Sequence, residues 1–189
     1  MKVFNLYNDE LEDSMKREGW NARAAKVGEH IGGELIGAGL YEAQPGNKIW
    51  PYHTHHANEE WLLVVRGQPT LRTPEGERQL HEGDVVCFPR GKAGAHQVWN
   101  GSDSPIRVLM LSTLVVPDIV EFLDTGKVGA RSVAGEPIMF GRPGPSSTTG
   151  KVRSSRTRSK NRALGCASVL SPDGVSARIG PLKRHRNSP

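Results

Sequence analysis

Between residues 34 and 116 the apolar residues come in short runs, and none of the runs shows the 3.6-residue spacing of an amphipathic helix. The runs occupy residues 35–43, 61–65, 85–88, 98–99 and 106–116. Turn formers stand between them: Pro45-Gly46-Asn47, Arg66-Gly67-Gln68-Pro69, Thr73-Pro74-Glu75-Gly76, His81-Glu82-Gly83-Asp84, Arg90-Gly91 and Asn100-Gly101-Ser102-Asp103. Short strands separated by regular turns describe an all-β sandwich or barrel. Pro74-Glu75-Gly76 is expected to close a hairpin between residues 70–73 and 77–80. Residues 118–124, after Pro117, read equally well as one helical turn or as an edge strand. Residues 1–33 are polar, with a helix-compatible stretch over 9–18, and are expected to form an N-terminal arm.

The chain has 189 residues, enough for one domain with a real core and a tail. No run of about 18 apolar residues is present, so no membrane span is expected. The N-terminus lacks the apolar stretch of a secretory signal and turns acidic at Asp9-Glu10. Cys87 and Cys166 lie on either side of a break in composition. A disulfide between them is not expected, and a reducing cytoplasm is the expected compartment. The net charge of +5 hides a division of the chain. Residues 1–140 carry 14 basic and 19 acidic side chains, whereas residues 141–189 carry 11 basic ones and a single acid, Asp173. The excess positive charge therefore belongs to a tail rich in Gly, Pro, Ser, Thr and Arg, which is expected to be disordered. Its charges lack interleaved aromatics, and the rest of the chain is acidic, so neither nucleic acid nor membrane is an expected partner.

The densest chemical signal is Pro51-Tyr52-His53-Thr54-His55-His56-Ala57-Asn58-Glu59-Glu60-Trp61. On an extended segment, His53 and His55 project from the same side, because the strand period is two. Their rings can share one ion, and a carboxylate at the start of the next apolar run can add a third ligand. Imidazoles and a carboxylate suit Fe, Mn, Co, Ni, Cu or Zn, and a site that keeps positions open is reactive rather than structural. Glu60 shares a face with Leu62 and Val64 and is the preferred ligand; Glu59, on the other face, is the register-slip alternative. His56 is out of phase with His53 and His55.

Two ordered motifs contain these residues. The first is Gly46-x6-His53-x-His55-x4-Glu60-x6-Gly67, and the second is Gly83-x5-Pro89-x-Gly91-x4-His96-x3-Asn100. Together they resemble the paired motifs of the cupin superfamily. The resemblance implies an antiparallel jelly-roll β-barrel of six to eight strands over residues 34–140. It also implies one divalent metal ion (Fe, Mn, Zn or Ni) on His53, His55, Glu60 and His96. Both motifs depart from the family spacing by longer gaps, before His53 and before His96. The second departure lengthens the loop that delivers His96.

The chemistry left open by such a site includes a dioxygenase or hydrolase reaction, an isomerase or lyase reaction on sugars or small acids, and non-catalytic binding of a small ligand. No helix-turn-helix segment accompanies the barrel. Among the aromatics, Trp61 and Trp99 are out of phase with Glu60 and His96 and are expected to pack, whereas Tyr52 is the better pocket candidate. Arg72, Arg90 and Lys92 read as solvated charges, and Cys87 as a small buried hydrophobe. The outward positions Trp61, Leu63 and Val65 suggest a homodimer. The segment Ser147-Thr148-Thr149-Gly150-Lys151 is compatible with codons that, in another frame, spell Val-Asp-Tyr-Trp-Glu, an ending that the resemblance suits. On this reading the tail is out-of-frame translation, and the gene sequence decides it.

Overall fold

The structure is a computed structural model that describes residues 1–15, 17–132 and 137–140. The basic tail from Gly141, with the readings placed on it, lies outside the described residues. Thirteen strands are present among the described residues. In chain order they are β1 Glu12–Met15, β2 Ala22–Ala25, β3 Ile36–Ala43, β4 His53–His55, β5 Glu60–Arg66, β6 Thr70–Thr73 and β7 Gly76–Gln79. They continue with β8 Val85–Phe88, β9 Gln97–Trp99, β10 Ile106–Thr113, β11 Asp118–Phe122, β12 Lys127–Arg131 and β13 Pro137–Phe140. A short α-helix, α1 Val27–Ile31, joins β2 to β3. Among the described residues no helix is long and apolar enough to cross a membrane.

The strands form a six-stranded sheet (β1-β2-β3-β10-β5-β8), a four-stranded sheet (β13-β12-β11-β4) and a three-stranded sheet (β7-β6-β9). Every pairing among these strands is antiparallel. The bridges Lys48↔Trp99 and His53↔His96 tie the two smaller sheets along one seam. The expected antiparallel barrel is thus built as facing layers, and its hydrogen bonding does not run all the way round among the described residues. The predicted hairpin is β6–β7, and the open choice over residues 118–124 resolves as strand β11.

The core lies between the layers. Leu62 and Val64 from β5, Val108 and Met110 from β10 and Phe88 from β8 meet Leu71 from β6, Val98 from β9, Ile49 and Leu80. The period of two is plain along β5, where Leu62 and Val64 are buried and Trp61 is exposed. Gly67 ends this strand in the left-handed region, at φ +79°, where a Cβ would lie 2.8 Å from the Pro105 carbonyl oxygen. Asn100, which ends the second motif, is fully buried, and its amide donates to the carbonyls of Ala43 and Ser104. Both motif residues hold turns rather than chemistry.

The first 33 residues, expected as a polar arm, contribute two strands to the large sheet and cover part of its outer face. Phe4, Leu6, Leu11 and Val27 pack over Leu40, Val65 and Leu109. Arg107, buried on β10, donates to the carbonyls of Leu6 and Tyr7 at 2.8 and 2.9 Å and pairs with Glu42 at 2.6 Å. Arg23 adds a bond to the Leu11 carbonyl at 2.6 Å. Val65, read as part of an open outer face, is therefore buried under the N-terminal segment, while Trp61 stays open.

Candidate metal centre

β4 presents His53 and His55 on one face, paired with Phe122 and Val120 of β11. Glu60, the first residue of β5, comes from the other layer. His96 sits just before β9 and is locked to His53 by a reciprocal pair of backbone bonds, at 3.1 and 2.9 Å. Its ring stacks on Phe88, with centroids 3.8 Å apart and planes 6° from parallel. The residues that lengthen the loop before His96 form a 3-10 turn, Lys92–Gly94. A Cβ on Gly94 would stand 1.7 Å from the Pro89 carbonyl oxygen, so only glycine fits where the loop doubles back. Thr54 donates to the Gly91 carbonyl, and the Gly91 amide donates to the His55 carbonyl at 2.7 Å. The longer loop thus returns His96 to the site.

The three Nε2 atoms of His53, His55 and His96 stand 3.9, 3.6 and 3.3 Å from one atom, Glu60 Oε2. Ligand atoms of His53, Glu60 and His96 all lie within 4.8 Å of one another. Protonation follows from the other side of each ring. His53 Nδ1 faces the Pro51 carbonyl at 2.8 Å, His96 Nδ1 faces the Gly94 carbonyl at 2.9 Å, and His55 Nδ1 faces Asp118 Oδ2 at 2.6 Å. All three partners are acceptors, so each Nδ1 carries a proton, and Nε2 is the atom each ring offers on the side of Glu60. Three Nε2 atoms and a carboxylate oxygen therefore converge. Among the described residues, buried His96 Nε2 has no partner that meets hydrogen-bond geometry. Such an arrangement is costly until a cation enters it, and a divalent metal fits the donor set.

The electrostatics favour an ionised Glu60 and a neutral His53, and they favour charge on His55. Burial, then the neighbouring His96 and His55, holds His53 down to about 3 despite the pull of Glu60. Burial works against ionised Glu60, but the three histidines outweigh it and lower its pKa to about 2. Burial also opposes charged His55, yet Asp118 and Glu60 outweigh burial and raise its pKa.

Asp118 is the residue that sequence reasoning missed. Its carboxylate is fully buried; Oδ2 accepts from His55, and Oδ1 accepts from the Ala57 amide at 2.9 Å. Glu59, the alternative ligand, is exposed and accepts from Trp61 Nε1, outside the cluster. His56 is exposed and pairs with Glu121. Cys87, expected inside, is exposed, because β8 turns it to the same face as Trp61. Trp50 packs on the core beside Tyr41. Arg90 and Lys92 are exposed as read, but Arg72 is engaged: it forks onto Asp124 at 2.8 and 2.9 Å and lies 4.0 Å over the Tyr52 ring.

Residues 39–112 match a family model described as a cupin domain. No curated protein matches the sequence. Among solved structures, a proposed sugar phosphate isomerase from Acidithiobacillus ferrooxidans is 25% identical with a TM-score of 0.60, over 72% of this chain and 83% of that one. A cupin-superfamily sugar phosphate isomerase from Silicibacter pomeroyi is 22% identical with a TM-score of 0.65, over 77% and 97%. A predicted oxalate decarboxylase from Thermotoga maritima is 16% identical with a TM-score of 0.50, over 60% and 99%.

Proposed function

We propose, from the match of residues 39–112 to a cupin domain model, that His53, His55, Glu60 and His96 hold one divalent metal ion that acts on a small molecule. The convergence of three imidazole Nε2 atoms on a single carboxylate oxygen carries the reading. Fe, Mn, Zn and Ni all suit three imidazoles and a carboxylate. The metal, when bound, supplies Lewis acidity toward a substrate oxygen. The chain's own part is to hold the rings. The carbonyls of Pro51 and Gly94 and the carboxylate of Asp118 fix the tautomers, while Phe88 and Phe122 pack against His96 and His53 and keep water from their faces.

A metal-dependent isomerase is the second reading, and the likeness to the proposed sugar phosphate isomerase, at 25% identity, favours it over a dioxygenase. Elemental analysis of protein purified without chelators tests the centre. About one metal ion per chain is expected in the wild type and a small fraction of that in His53→Ala, His55→Ala and Glu60→Ala. Equally little metal in all four overturns the proposal. Isomerisation of a sugar phosphate without O₂ uptake separates the two kinds of chemistry.

The proposal includes a homodimer. Ile36, Trp61 and Val85 share the outer face of the six-stranded sheet and are 58%, 47% and 57% exposed, with half-buried Leu63 among them. A second copy would cover this apolar patch, at whose margin the Glu59 carboxylate accepts from Trp61 Nε1. Sedimentation equilibrium is expected to give a dimer for the wild type and a monomer with its metal retained for Trp61→Glu. A wild-type monomer at all concentrations overturns it.

A further inference from the structure

β12 places a cation on the face that carries the histidines, and nothing above gives it a role. Arg131 is the register partner of Asp118, and paired positions on antiparallel strands project from the same face. The next rungs on that face are Gly129, Val120 and His55, then Lys127, Phe122 and His53. Arg131 therefore shares a face with both histidines, one rung from His55. Two strand spacings, about 10 Å, separate β12 from β4, most of which an extended arginine side chain can cover.

Arg131 is half-buried, and among the described residues no carboxylate pairs with it. Asp118, the nearest by register, has both oxygens engaged, one by His55 and one by the Ala57 amide. The register nevertheless leaves the positive charge of Arg131 one rung from His55. A charge count shows what it adds. A divalent metal with Glu60, Asp118 and three neutral rings carries no net charge, so the centre alone exerts little pull on an anion. Arg131 leaves one positive charge beside it.

On the proposed reading of the metal centre, we propose that Arg131 anchors the anionic group of the substrate, an oxyanion of the carboxylate or phosphate class, next to the metal. The planar guanidinium offers two parallel N–H donors to such a group, which an ammonium cannot match. Gly129, with no side chain between Arg131 and Lys127, leaves room on the same face.

Isothermal titration with inorganic phosphate and with oxalate, on the full chain both metal-loaded and metal-stripped, tests this. The wild type is expected to bind at least one of them, and the anion that binds assigns phosphate or carboxylate. Arg131→Ala is expected to weaken that binding at least tenfold with the metal content unchanged, and Arg131→Lys to recover part of it. Arg78→Ala, on the exposed strand β7, is expected to bind as the wild type does. Wild-type affinity in Arg131→Ala, no binding of either anion by the wild type, or loss of metal from Arg131→Ala overturns the inference. If the wild type carries no metal but anion binding still depends on Arg131, the metal proposal fails and the anchor stands.

Discussion

Glu60→Gln is expected to remove the metal and to leave the empty protein less stable than the empty wild type. Without a metal, Glu60 Oε2 stands 3.3–3.9 Å from three Nε2 atoms, and against the effect of burial the histidines hold its carboxyl down to about 2. A carboxyl whose pKa is lowered by the fold contributes stability that is present above its unfolded pKa and is lost as pH falls through the folded one, so the contribution is complete at neutral pH. Glutamine keeps the size and shape of the side chain but not the charge that the histidines favour. The stripped variant should therefore lose on the order of 1 kcal/mol, or roughly 2–4 °C in Tm for a chain of this size. Metal binding falls as well. The site loses its one anionic ligand, so the loss of affinity should exceed the roughly 10–100-fold typical of changes outside the ligand shell. At a metal concentration about a thousand times Kd, the wild type gains about 4 kcal/mol that the variant does not. Thermal melts in chelator should place the variant below the wild type, and excess metal should widen the gap, because only the wild type gains from it. A stripped Glu60→Gln protein that melts above the stripped wild type overturns this electrostatic reading of the site. A gap that widens with metal marks a ligand, whereas a merely structural carboxylate gives a gap that metal leaves unchanged.

The sequence exposes the parts of this molecule that are local. His53 and His55 are legible because two residues on one strand settle which way both rings point. Glu60 is legible because its phase is shared with Leu62 and Val64, and the exposure of Glu59 follows from the same alternation. Gly67 and Asn100 keep their spacing because each holds a turn with its own neighbours or with one adjacent strand. What stays hidden depends on pairing across the fold. Asp118 reaches His55 over a separation of 63 residues, through the β11–β4 pairing, and its own segment reads equally well as a helical turn. Arg131 acquires its place only because β12 pairs with β11. The N-terminal segment looks like a free arm because its apolar residues, Phe4, Leu6 and Leu11, are scattered, and the buried arginine that holds its carbonyls lies a hundred residues away on β10. Cys87 misleads for a related reason. An apolar run such as Val85–Phe88 suggests burial of every member, but at an open sheet edge only one face is covered.

Asp118→Asn should weaken metal binding about 10–100-fold without removing any ligand. The carboxylate accepts two hydrogen bonds, from His55 Nδ1 at 2.6 Å and from the Ala57 amide at 2.9 Å. An asparagine offers one acceptor oxygen and turns an N–H₂ group toward the other donor. If the oxygen stays with Ala57, His55 meets a donor at Nδ1 and must move the proton to Nε2, where it blocks the metal. If the oxygen stays with His55, the Ala57 amide is left unpaired, at a cost of about 1–3 kcal/mol. In either case the negative charge that raises the basicity of the ring is gone, and a fully buried position leaves little room to relax. The stripped protein should therefore lose stability, as in Glu60→Gln, and metal affinity falls in both. The d–d absorption of the cobalt-loaded protein gives a readout that stability alone does not move, and in Asp118→Asn it should shift as the His55 ring turns or its Nε2 weakens as a donor. Wild-type metal affinity together with an unchanged cobalt spectrum would show that Asp118 only holds β11 to β4 and does not position the ligand.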